Sequence, residues 1–98
     1  MTTVLIHHRV ADYDTWKLEY DRVVAGPLGS TIRSYTMWRG QDDPNLVILA
    51  KTYDSREEAL AAHNRPELVS VIVEAGVDLL SMRIDYSDEV ASSAGRAN

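Results

Sequence analysis

The chain has 98 residues, and its 15 acidic and 10 basic side chains give a formal charge of −5; it contains neither cysteine nor phenylalanine. That length permits one domain, and its core removes only about two-thirds of the unfolded chain's surface from water. Without cysteine there are no disulfides, thiolate nucleophiles or thiolate-bound metal centres, and the acidic balance excludes a general nucleic-acid binder. No apolar run approaches the ~18 residues of a membrane span, so neither a nucleic-acid nor a membrane partner is expected. A soluble cytoplasmic protein is the expectation.

Thr2–Val10 is β-branched and apolar and predicts a first strand. Asp12 then offers an N-cap to a helix of about four turns, because Tyr13, Trp16, Tyr20, Val23 and Val24 fall on one apolar stripe. Gly26-Pro27 stops it. Thr31–Arg39 and Leu46–Tyr53 read as two strands, joined as a hairpin by the turn residues Gly40 to Asn45. Asp54 begins a second helix, with Glu57 completing the cap and Ala59, Leu60 and His63 sharing a face. Pro66 suits the first turn of a third helix with Leu68, Val71, Ile72 and Ala75 along its stripe, and Gly76 ends it. The last strand is expected from Leu79 to Tyr86. Residues 1–88 then form one domain, and residues 89–98, small and polar, form a disordered tail.

The order β-α-β-β-α-α-β matches the α+β, ferredoxin-like split βαβ topology, a four-stranded antiparallel sheet with helices on one face. Its other face should alternate to polar residues. Val4-Leu5-Ile6, Leu46 to Ala50 and Leu79-Leu80 instead read as apolar on both faces. No element remains to cover the second face, so a second copy of the sheet is the simplest cover, which predicts a homodimer through sheet-to-sheet packing.

The chain resembles the dimeric α+β barrel superfamily, and within it the small antibiotic biosynthesis monooxygenase-like and polyketide cyclase-like proteins. The resemblance rests on Val10-Ala11-Asp12-Tyr13 with Trp16, Gly29, Asp42-Asp43-Pro44-Asn45, Asp54, Ala59, Pro66-Glu67-Leu68 and Ala75-Gly76-Val77. These motifs are caps, turns and helix starts, so they specify the fold more than the chemistry. The resemblance implies a pocket between helices and sheet for a small aromatic or polyketide-like ligand. It also implies a choice among cofactor-free oxygenases, cyclases, haem-degrading monooxygenases and isomerases. The haem-degrading relatives carry an axial histidine on the segment matching the third helix; Leu68 to Val73 holds none, which leaves only His63 or His8 as substitutes.

His7 and His8 are adjacent on a strand, point to opposite faces and cannot share a metal ion. His8 is similar in placement to a polar pocket residue of the relatives. It reads either as a general base or as a satisfied histidine packed among Ile6 and Val10. Tyr53 matches the position of a pocket tryptophan, and its hydroxyl would orient or protonate a substrate oxygen, the alternative being a core tyrosine. His63 either looks into the cavity mouth or binds the end of its own helix. Trp38 is chosen over Tyr35 as the aromatic wall, although the hairpin register decides between them. Lys51 and Arg83 are charges inside apolar strands and are read as substrate-binding, with Asp85 the alternative partner of Arg83.

No Gly-rich phosphate loop, Gly-x-Ser-x-Gly elbow or paired helical histidines occur, so no metal or bound cofactor is expected. The sequence-level expectation is a cofactor-independent monooxygenase or cyclase with His8, Tyr53 and His63 as catalytic residues. Its alternative is a non-catalytic dimeric binding or assembly module of the same fold.

Overall fold

In the computed structural model, which describes residues 1–93, the elements are β1 (Thr2–Val10), α1 (Tyr13–Ala25), β2 (Ser34–Arg39), β3 (Leu46–Tyr53), α2 (Arg56–His63), α3 (Pro66–Glu74) and β4 (Val77–Ser87). The strands form one antiparallel sheet in the order β2-β3-β1-β4. This is the expected α+β, ferredoxin-like arrangement, with three helices on one face. Residues 94–98 of the expected tail lie outside the described residues.

Burial alternates along the central strands. On β1, Thr2, Val4, Ile6, His8 and Val10 are buried; on β3, Val47, Leu49, Lys51 and Tyr53 are buried. The register places Ile6 opposite Leu49 and Val4 opposite Lys51, so the two sets share the face beneath the helices. Trp16, Ala59, Ala75 and Val77 complete the core from the helices and β4.

Local chemistry explains the helix starts. The Asp12 carboxylate accepts from the Thr15 amide at 3.0 Å and its hydroxyl at 2.7 Å, capping α1. The α2 cap is one residue later than the sequence implied. Ser55 accepts from the Glu58 amide at 3.1 Å, while Asp54 is drawn away to the Arg33 guanidinium. The second strand is also shorter than expected, because residues 31–33 are spent on the approach from the single turn Pro27–Gly29. Gly29 is obligatory there: a Cβ would lie 2.3 Å from the Val24 carbonyl oxygen. Gly76 follows α3 at φ 88°, where a left-handed residue closes a helix.

Asn45 ties the hairpin to α1, accepting from the Tyr13 amide at 3.0 Å. The strand β4 is interrupted: Arg83 pairs with His7 and Asp78 with Arg9, so residues 79–82 leave the ladder as a bulge. Ser81 holds that bulge, its hydroxyl accepting from the Arg9 amide at 2.8 Å and donating to the Asp78 carbonyl at 2.6 Å. The expectation of Leu79-Leu80 as regular two-faced strand residues is corrected here. Leu80 is 99% exposed on the bulge, and Leu79 turns toward the helices.

The sheet's second face carries Leu5, Ile48, Ala50 and Trp38 at its centre, with Thr3, Arg9, Arg83 and Asp85 around them. No element of the described chain covers it.

Candidate functional site

The helices do not close fully on the sheet. Between them lies a cavity of about 300 Å³, at the small end of the range typical of ligand pockets. Ile6, His8, Leu49, Lys51, Tyr53 and Ile84 rise into it from the sheet. Trp16, Tyr20, Leu28, His63 and Ile72 descend from the other layer. Most of this wall is apolar, so each polar group set in it acts in a low-dielectric environment.

His8 is 3% exposed, with its ring edge-on to Trp16 at 5.5 Å between centroids. Burial lowers its pKa to about 4; the Val47 backbone opposes this, and the charge of Lys51 adds to it. The imidazole is therefore neutral at pH 7. It is buried as a packing histidine would be, but it is not a satisfied one, since its Nδ1 has no hydrogen-bond partner.

His63 sits at the last turn of α2, where Nδ1 lies 2.8 Å from the Ala59 carbonyl. A carbonyl can only accept, so Nδ1 carries the proton and Nε2 keeps the lone pair. That Nε2 is buried and unpartnered. The two readings of His63 thus coincide: one nitrogen binds its own helix and the ring lines the cavity. Burial, aided by Lys51, lowers its pKa to about 4. Its ring stands edge-on to Tyr53 at 5.7 Å and to Tyr86 at 6.0 Å.

Tyr53 is almost wholly buried, and burial with help from Tyr86 pushes its pKa up to about 12. Its hydroxyl is a donor at neutral pH. Tyr20 is likewise held protonated by burial, and its hydroxyl too has no partner. Lys51, 9% exposed in the middle of β3, forms no ion pair and no side-chain hydrogen bond among the described residues. Burial lowers its pKa to about 8, so the ammonium remains mostly charged at pH 7.

Of the six site residues read from the sequence, His8, Tyr53, His63 and Lys51 come together on this cavity. Trp38 and Arg83 do not. The hairpin register pairs Trp38 with Ile48, between the buried Val47 and Leu49, and so turns the indole to the opposite face, 49% exposed. Tyr35, opposite Lys51, lies on the helix side and meets Tyr20 at 5.3 Å. Arg83 pairs with His7 on the open face and binds Asp85 at 3.0 Å, the alternative partner named from the sequence. The aromatic wall comes instead from α1. Trp16 and Tyr20 stack at 5.1 Å with 26° between their planes. Their i, i+4 spacing on the helical stripe is the signal in the sequence, where it marks an apolar face but not a pocket. Among the described residues, no three histidine or carboxylate side chains gather into a cation site.

A sheet floor, a helical roof and a mainly apolar cavity between them define an α+β small-molecule-pocket architecture. Solved structures share the fold along nearly the whole chain. An antibiotic biosynthesis monooxygenase superposes with a TM-score of 0.71 at 14% identity, over 93% of this chain and all of its own. A variant of SnoaB, a cofactor-independent oxygenase from Streptomyces nogalater, gives 0.73 at 11% identity, over 93% of this chain and 94% of its own. The Rv0793 protein from Mycobacterium tuberculosis gives 0.66 at 14%, over 96% and 100% respectively. No family model matches the sequence, and no curated protein does. At these identities the likeness establishes the fold: the chain has the antibiotic biosynthesis monooxygenase-like architecture expected from its caps and turns. No helix of the described residues is long and apolar enough to cross a membrane.

Proposed function

We propose that the protein is a cofactor-independent monooxygenase or cyclase acting on a small aromatic or polyketide-like metabolite. The observation that carries this reading is the cavity itself, which brings neutral His8, neutral His63 and a protonated Tyr53 to one apolar space. In the oxygenase form, His8 accepts a proton from an activated substrate carbon, and Tyr53 donates to the substrate oxygen that gathers the negative charge. The carbanion supplies the electrons to dioxygen, a C–O bond forms, and the resulting peroxide loses water. The balance is CH₂ + O₂ → C=O + H₂O. Trp16 and Tyr20 hold the ring system while this happens.

A hydroxylated anthrone and dioxygen provide the test, followed by oxygen uptake and quinone absorbance for the wild type and His8→Ala. Turnover by the wild type with a loss of about 100-fold or more in the variant supports His8 as the base. An unchanged substrate in both overturns the enzymatic reading.

One observation favours a second reading, a non-catalytic binding or assembly module. The neighbour of the protonated His63 nitrogen is a backbone carbonyl rather than a carboxylate, and a pKa of about 4 makes both histidines weak bases. Binding of the same anthrone without turnover decides for it.

The apolar open face supports a homodimer as the working unit, with Leu5, Ile48, Ala50 and Trp38 packed against their counterparts. Sedimentation at micromolar concentration tests it, and a stable monomer overturns it.

A further inference from the structure

Among the described residues, the cavity contains a cation without a counter-ion. Lys51 stands at mid-strand, flanked across the sheet by Val4 on β1 and Tyr35 on β2, so its stem is enclosed on both sides. At 9% exposure most of its surface is withdrawn from water, although a long lysine usually escapes the cost of burial by carrying its head out to solvent. Glu19, the one carboxylate on the cavity wall among the described residues, is held by Arg22 at 2.9 Å and 3.2 Å. A buried ammonium normally has a partner, since leaving water uncompensated is expensive.

The same cavity collects the other unsatisfied groups. Three buried side-chain atoms in the described chain lack a hydrogen-bond partner: His8 Nδ1, Tyr20 Oη and His63 Nε2. All three residues line this one space. Unpaired buried polar atoms scattered by imperfect packing would not converge in this way. Their chemistry is also sorted. Lys51 Nζ can only give protons to a ligand at neutral pH, Tyr20 Oη keeps its proton and so offers a donor, and His63 Nε2 can only take one.

We propose that the cavity recognises an organic anion, an aromatic or otherwise apolar body bearing one negative oxygen group, and that Lys51 is the residue that reads the charge. Tyr20 adds a second donor to the same group, and His63 accepts from a hydroxyl elsewhere on the ligand. This inference rests on the reading of the cavity as a small-molecule site, but it holds for an enzyme and for a binding module alike. It also accounts for the retention of a lysine where a methionine would fill the space more cheaply.

Two fluorescent probes of one skeleton separate the possibilities: anionic 1-anilinonaphthalene-8-sulfonate and neutral N-phenyl-1-naphthylamine. The wild type is expected to bind the anion about tenfold or more tightly than the neutral probe at pH 7 and low salt. Lys51→Met should keep the neutral probe and lose the preference, and Lys51→Arg should restore most of it. Circular dichroism of each variant shows that the probe reports the folded cavity. Tyr20→Phe should reduce the anion's advantage two- to threefold without affecting the neutral probe. Equal binding of both probes by the wild type overturns the anion inference while leaving the pocket intact. An undiminished preference in Lys51→Met overturns the role of the lysine. Failure of both probes to bind the wild type overturns the inference together with the pocket reading beneath it.

Discussion

On the open face of the sheet, Arg83 lies 3.0 Å from Asp85 and Arg9 lies 3.3 Å from Asp43, each pair bathed in solvent. On the helix face of the same strands, Lys51 and His8 are buried with no ion pair, and Tyr20 and His63 meet them with unpaired atoms. The strands are shared and the residue types similar, yet the charges are paired where pairing is worth little and unpaired where its lack is costly. Folding economy would give the reverse. Polar groups kept against stability, and converging on one cavity, are the observation on which the proposed ligand site rests.

The largest expected effect breaks the helix face outright. Trp16→Ala, which removes the 3%-exposed indole beside His8 and Tyr20, should cost roughly 3–5 kcal/mol in urea unfolding. The next is acid lability. The folded pKa values of His8 and His63 lie near 4 and the unfolded ones near 6.5, so between these limits the unfolded chain binds more protons. Stability should therefore fall as pH drops from about 6.5 to 4 and level off below. The loss approaches roughly 3 kcal/mol for His8 and less for the half-buried His63. Denaturation midpoints measured across that range check it, and His8→Phe should flatten most of the slope.

On the open face, Trp38→Glu should leave the monomer's stability within about 0.5 kcal/mol while weakening self-association about 100-fold, read by sedimentation. Lys51→Met works in the opposite sense on the helix face. The folded pKa near 8 against 10.5 unfolded means that the charged lysine opposes folding at every pH below about 8. Its removal should raise stability by about 2 kcal/mol. The smallest effect sharpens the contrast. Arg83→Ala should change stability by less than about 0.5 kcal/mol and leave ligand binding untouched.

Much of this was legible before any coordinates. Asp12 announces a helix start because a short carboxylate two residues past a strand has few better uses than capping, and Gly40 to Asn45 can hardly be other than a turn. The alternation of Thr2, Val4, Ile6 and His8 with Thr3, Leu5 and His7 assigned His8 to a face, though only the fold decided which neighbours it meets. Ser55 displaced Asp54 as a cap because Arg33, distant in sequence, competes for the carboxylate.

What the sequence determined by itself is local and periodic: the element order, the helix and turn chemistry, and the placing of Lys51 and Tyr53 on one face of β3. These follow from capping, from backbone restriction at glycine and proline, and from the two-residue repeat of a strand. Tertiary structure alone decided which of Tyr35 and Trp38 lies beneath the helices, since a one-residue change of hairpin register exchanges the faces of the whole strand. It also decided that Arg83 has a neighbour in Asp85 while Lys51 forms no ion pair among the described residues. Ion pairing depends on distances through space, and the repeat of a strand does not encode them.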